Sequence, residues 1–204
     1  MDQIQSLIIQ RRYNKGENIV LPDQPMHCLF ILNEGVVKVT RESHENKEHI
    51  LYLLSENEFF GETNLFANVP STISVSALTD TTLCTISKAD FQGLIIKHPS
   101  IALKVLEELT LRLNKLENMI EHAGGKSIDE RIVQMLHDFS LKYGEDQETG
   151  TLIHLPLNRE EIANYLGLSR ETISRKLVKM DKQGDLKVIG HKKILLYDKK
   201  ISSN

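Results

Sequence analysis

The sequence predicts an α+β protein: an N-terminal antiparallel β jelly roll, a long dimerisation helix and a C-terminal winged helix-turn-helix. Three patterns carry that expectation. Short apolar runs broken by turn clusters occupy residues 13 to about 90. From Ala102 the apolar residues switch to alternating steps of four and three. Leu157 to Asp185 then holds two short amphipathic stretches around a tight turn. The implied limits are residues 1–98 for the jelly roll, 99–123 for the helix and 124–204 for the winged domain.

In the first part, the candidate strands are Asn18–Val20, Cys28–Leu32, Val36–Thr40, His49–Leu54, Ile73–Ala77 and Thr82–Ser87. Turn clusters such as Asn14-Lys15-Gly16-Glu17, Pro22-Asp23-Gln24-Pro25, Asn33-Glu34-Gly35 and Ser43-His44-Glu45-Asn46 lie between them. Glycine, asparagine and aspartate tolerate the backbone conformations that tight turns demand. Short strands at near-regular spacing argue for a sandwich or jelly roll.

Ala102, Leu106, Leu109, Leu113, Leu116, Ile120 and Ala123 then form a seam sustained for about three heptads. Glu107, Arg112, Lys115, Glu117 and Glu121 are expected on the wet face. Such a stripe suits packing against a second copy, with Leu106, Leu109, Leu113, Leu116 and Ile120 at the interface. Packing on the chain's own strand domain is the competing reading. Gly124-Gly125 interrupts the helix, as a hinge or as an ordinary turn, and Ser127-Ile128-Asp129-Glu130 restarts it as a capping box. A helix over Ile128–Lys142, a polar loop over Tyr143–Gly150 and a strand near Leu152–Leu155 follow.

The reading motif comes next. Its first helix packs through Ile162, Ala163 and Leu166, turns at Tyr165-Leu166-Gly167-Leu168, and gives way to a second helix opening on Ser169. Ile173 and Leu177 hold that second helix in place. Arg170, Glu171, Ser174 and Arg175 are left to face outward. Arginine offers two donors to guanine O6 and N7, and a carboxylate accepts from cytosine N4. A carboxylate in a phosphate-lined groove is costly without a donor, so Glu171 argues for base reading over generic adhesion. Arg159, Ser169, Thr172 and His191 are expected to meet phosphates, Ser169 and Thr172 at a helix N-terminus whose dipole favours anions. Leu186–Ile189 and Ile194–Tyr197 flank Gly190-His191-Lys192 as a small hairpin, the wing.

Charge supports this division. The whole chain is net -3, yet Ile153 to Asn204 holds 11 Lys or Arg against 6 Asp or Glu, a net of +5, leaving 14 against 22, or -8, elsewhere. A basic segment joined to an acidic remainder suits a nucleic-acid reader coupled to a sensor. Two cysteines, Cys28 and Cys84, make no disulfide framework. No apolar run approaches the ~20 residues of a membrane span, and nothing at Met1-Asp2 resembles a signal peptide, so a cytoplasmic location is expected.

These residues resemble the cyclic-AMP receptor protein/fumarate-nitrate regulator (CRP/FNR) family of bacterial transcription factors over nearly the whole chain. Gly16, Gly35, Phe60-Gly61-Glu62, the long helix, and Ser169-Arg170-Glu171-Thr172 with Arg175 carry the resemblance. It implies a cyclic-nucleotide-binding-like jelly roll and a homodimer on a pseudo-palindromic double-stranded DNA site. Residues matching Glu171 and Arg175 would then read a TGA-like half-site. If the protein activates, RNA polymerase is the further partner.

The sensor end departs from the pattern. The resemblance marks Gly61, Glu62, Thr72 and Ile73 as the effector pocket, but cyclic-nucleotide binders carry an Arg-Ser pair where Thr72 and Ile73 stand. A buried phosphate without its arginine has lost its main charge partner, and Leu116-Glu117 replaces hydroxyl residues expected against adenine. Cyclic AMP is therefore not expected as the effector, whose identity stays open. Two cysteines cannot supply the four ligands of an iron-sulfur cluster within one subunit. Cys28 and Cys84 form a redox switch only if their strands are neighbours. No cofactor or resident metal is expected. A signal-independent regulator with a self-filled pocket is one alternative. A metal-dependent jelly-roll enzyme of the cupin kind is another, with only His44 and His49 as candidate ligands.

Overall fold

The computed structural model describes residues 7–24, 27–43, 48–66, 71–123, 125 and 127–197. The chain divides into two compact units, Met1–Glu42 with Leu51–Gly125, and Ser43–Ile50 with Lys126–Asn204.

The first unit is built on β1 (Ile8–Tyr13), β2 (Asn18–Val20), β3 (Cys28–Glu34), β4 (Val37–Glu42), β5 (Glu48–Leu54, of which residues 51–54 fall in this unit), β6 (Phe59–Phe60), β7 (Ser74–Ala77) and β8 (Thr81–Ser87). They form two four-stranded sheets, ordered β1-β8-β3-β6 and β2-β7-β4-β5. Strands β1, β3 and β6 join the first sheet antiparallel, and β2 and β4 flank β7 antiparallel in the second. Alternate residues point to opposite faces of a strand. Val37 and Val39 from β4, Leu32 from β3 and Leu83 from β8 therefore meet between the sheets, with Val20, Leu54, Phe60 and Val75. Burying each such side chain stabilises the fold by about 1.5–3 kcal/mol.

The other face of the first sheet is covered by helices. α1 spans Glu62–Phe66, α2 Lys88–Lys97 and α3 Pro99–Ala123. Ser87 caps α2 by accepting a hydrogen bond from the Asp90 amide, and Pro99 opens α3, a position where its missing N–H is harmless. Leu29 and Ile86 pack there against Leu65, Phe91 and Val105, with Ile101 and Leu109 at the margin. The β6–α1 junction demands glycine. Gly61 sits at φ +95°, and a Cβ there would lie 2.6 Å from the Cys28 carbonyl oxygen.

The second unit contains α4 (Ile128–Tyr143), β9 (Gly144–Gln147), β10 (Gly150–His154), α5 (Arg159–Leu166), α6 (Arg170–Gln183), β11 (Leu186–Ile189) and β12 (Lys193–Tyr197). The expected capping box is present: Ser127 Oγ accepts from the Glu130 amide, and Glu130 accepts from the Ser127 amide. Ile132, Leu136, Phe139, Ile153, Leu157, Ile162, Ile173 and Leu177 make the buried core. The strands form one sheet in the order β11-β12-β10-β9. The stretch expected as a polar loop is in fact the β9–β10 hairpin. Every β9 side chain is exposed, so its pairing is carried by backbone groups and leaves no apolar alternation in the sequence. Gly124 lies outside the described residues, and Gly125 falls in a turn.

Candidate nucleic-acid interface

Each helix of the reading motif is fixed by its own termini. At the start of α5, Asn158 Oδ1 accepts from the Glu160 and Glu161 amides at 2.9 and 3.0 Å. Glu161 returns the bond to the Asn158 amide. The helix stops at Gly167, whose φ of +62° is left-handed, and the Leu168 amide donates back to Ala163. Ser169 immediately caps α6 by accepting from the Thr172 amide at 3.2 Å. The connection is therefore short, and it leaves little freedom in how α6 leaves α5.

α6 presents two contrasting faces. Ile173, Leu177 and Met180 are buried, whereas Arg170, Glu171 and Arg175 are exposed and Ser174 is half-buried. Among the described residues, no hydrogen bond or ion pair engages the side chains of Arg170, Glu171 or Arg175. Neighbouring elements hold the helix from behind. Lys176 pairs with Asp129 of α4 at 2.7 Å, and Arg131 of α4 donates to the Leu166 carbonyl at the end of α5. Asp181 accepts from the Val188 amide and from Lys187, which ties the end of α6 to the wing. Those two donors, the Val188 amide first, hold its carboxyl below the usual range.

The expected phosphate contacts divide. His191 is exposed in the β11–β12 turn. Arg159 is half-buried at the start of α5; burial lowers its guanidinium pKa, and its buried Nη1 has no hydrogen-bond partner among the described residues. Ser169 and Thr172 are less free than the sequence suggested. Their hydroxyls lie 2.9 Å apart and are spent on the cap, so what remains for an anion is mainly the helix N-terminus itself.

In the first unit, Arg112 requires a correction. It does not keep an outer face wet, because its side chain is only 14% exposed. Nη1 lies 3.2 Å from Glu62 Oε1, and Nη2 donates to the Phe59 carbonyl at 3.0 Å. The guanidinium also stands 5.3 Å from the ring centres of Tyr52 and Phe59. Glu62, marked by the resemblance as part of the effector pocket, thus pairs with an arginine fifty residues away. Its Oε2 is buried without a partner among the described residues. Burial, reinforced by the Glu62 charge, pushes the Tyr52 phenol up. Thr72 is exposed and Ile73 packs against the core between the sheets, so neither adds a cation to Gly61 and Glu62. The whole stretch 60–73 contains no lysine or arginine, and the cation beside Glu62 comes from Arg112 of α3.

The cysteine pair is overturned by strand register. β3 and β8 are neighbours, but Cys28 lies opposite Ser87 and Cys84 opposite Ile31. Three residues of offset put the two about 10 Å apart along the ladder and on opposite faces of the sheet. A disulfide needs Cα atoms within about 7 Å. Cys28 and Cys84 therefore cannot bridge within one protomer while this sheet is intact, and both are free thiols.

On α3, Leu106 and Leu113 are 59% and 55% exposed, and Leu116 is 38% exposed. Leu109 instead packs partly beneath the chain's own sheet, as the competing reading of the helix expected. Ile120 lies on the same helix, with its side chain outside the described set. Leu103, unremarked in the sequence because it falls off the seam, is 67% exposed. His44 lies outside the described residues; His49 is exposed on β5. Among the described residues, no group of three or more His, Cys, Asp or Glu is placed to hold a metal ion. Among the described residues, no helix is long and apolar enough to cross a membrane.

A double-sheet domain joined by a long helix to a winged helix-turn-helix defines a DNA-binding transcriptional regulator with a sensor-type domain. The comparisons agree. Residues 10–98 match the cyclic nucleotide-binding domain, and residues 130–200 match the Crp-like helix-turn-helix domain. The probable transcriptional regulator flp of Lacticaseibacillus casei is 31% identical over 87% of this chain and 78% of its own length. In structure, the chain is similar to the c-di-GMP-responsive global regulator CLP of Xanthomonas campestris, with TM-score 0.83, 26% identity and 97% of each chain covered. It is also similar to a CooA mutant of Carboxydothermus hydrogenoformans, with TM-score 0.81 and 25% identity over 96% of this chain and 86% of that one. The chain belongs to the CRP/FNR family of transcriptional regulators.

Proposed function

We propose that this regulator binds a pseudo-palindromic DNA site as a homodimer, independently of cyclic AMP and without an iron-sulfur cluster. Residues 1–98 act as the sensor, 99–123 as the dimer helix and 124–204 as the DNA reader. Arg170, Glu171, Ser174 and Arg175 contact base edges, while Arg159, His191 and the α6 N-terminus, opened by Ser169 and Thr172, contact phosphates. The observation that carries this reading is the uncommitted face of α6. Its exposed arginines and glutamate have no partner among the described residues, although Lys176 and Asp181 behind them are ion-paired. Side chains left free on a rigidly capped helix are available to bases.

The exposed Leu106 and Leu113 support the dimer, since they stand one heptad apart and more than half of each is uncovered among the described residues. The missing cation across 60–73 supports independence from cyclic AMP, and a count of two cysteines supports the absence of a cluster. The test is a binding titration on a site enriched from random DNA. Arg175→Ala should reduce binding to the level of unrelated DNA. Glu171→Ala should relax discrimination at one base pair per half-site, by about 1–3 kcal/mol. Wild-type binding by both variants rejects the contact assignment. A tenfold gain on adding cyclic AMP rejects the sensor assignment.

A further inference from the structure

Val178 is an apolar residue on a helix face that is otherwise polar. It is 52% exposed in the third turn of α6, seven residues beyond Glu171, four beyond Ser174 and three beyond Arg175. Residues at those spacings share one side of a helix. The opposite side, Ile173, Leu177 and Met180, is the buried one, and Val178 stands outside it. Its β-branched side chain holds a narrow range of χ1 in a helix, which costs little entropy to order against a partner. A helix in the major groove offers side chains to successive base pairs along one face. The apolar feature that a base presents in that groove is the thymine C5-methyl.

We propose that Val178 is a specificity determinant that reads a thymine methyl in each half-site, extending the polar contacts of Arg170, Glu171, Ser174 and Arg175 by one helical turn. The inference rests on α6 being the DNA-reading helix. It predicts a preference that hydrogen-bond readers alone do not supply, because replacing thymine by uracil removes the methyl and leaves every donor and acceptor in place.

The experiment uses the full chain and the DNA site it enriches from random sequence. Each thymine of one half-site is replaced in turn by deoxyuridine, and affinity is measured for wild type, Val178→Ala and Val178→Thr. Wild type should lose about fourfold at one thymine, the worth of one buried methyl. That loss should vanish in Val178→Ala and persist in Val178→Thr, which keeps a γ-methyl. Alanine is a strong helix former and the position is exposed, so the variant should fold. A selected half-site without thymine, or a deoxyuridine penalty identical in wild type and Val178→Ala, overturns the assignment while leaving DNA reading intact. A wild-type chain that enriches no site overturns both.

Discussion

Arg112 shows how one side chain joins distant parts of the first unit. The spacing of α3 put it among hydrophilic neighbours, and nothing local marked it as buried; its partners Phe59 and Glu62 come from a turn fifty residues earlier. Glu62 is only 13% exposed, so removing the arginine leaves a desolvated carboxylate. Arg112→Met should therefore destabilise the protein by about 3 kcal/mol in urea unfolding, and Arg112→Met with Glu62→Gln by clearly less. Equal losses for the single and double variants would show that the pair is not coupled. Tyr165 offers a second residue-level check. Burial, with Asp138 adding a smaller push, raises its phenol to about 12. The folded state then holds a proton that the unfolded state releases near pH 10, so stability should fall as pH rises from about 10 towards 12. Tyr165→Phe should blunt that decline. An unchanged alkaline profile would place the phenol in water.

Elements were legible in proportion to how much of their stability is written as pattern. α5 and α6 carry capping residues, a left-handed glycine and apolar residues at helical spacing, and Ser169 caps the second helix where the sequence placed its opening, although Tyr165 and Leu166 of the expected turn belong to α5. β9 carries none of these, and β1, with only its ends half-buried, shows little alternation. β6 is two residues long and is defined by its partner β3, not by its own composition. α3 was legible in period but not in allocation. The same helix must satisfy its own sheet through Val105 and Leu109, while Leu106 and Leu113 remain exposed, and a heptad pattern cannot say which leucine goes where. Under the homodimer proposal, Leu106→Glu with Leu113→Glu should shift the protein to monomer in sedimentation equilibrium without loss of helix content. A mixture that stays dimeric would move the interface off this face.

At the scale of the whole molecule, family and reading motif follow from local residue chemistry, whereas the signal does not. The arrangement around Glu62 depends on residues from β5, β6 and α3 that meet only after folding. The redox reading failed for the same reason. Both cysteines sit on neighbouring strands as required, but register decides their separation, and register is set by the pairing of the whole sheet. What remains is a recognition helix whose outward Arg170, Glu171 and Arg175 are unengaged among the described residues, and a first unit that holds the buried Arg112–Glu62 pair. The most direct measurement is enrichment of sites from random DNA by the untreated full-length protein. The account predicts two inverted half-sites with centres about 10–10.5 bp apart, each containing a G·C pair lost on Arg175→Ala. Enrichment of no sequence over bulk competitor, with or without added cyclic AMP, would contradict it.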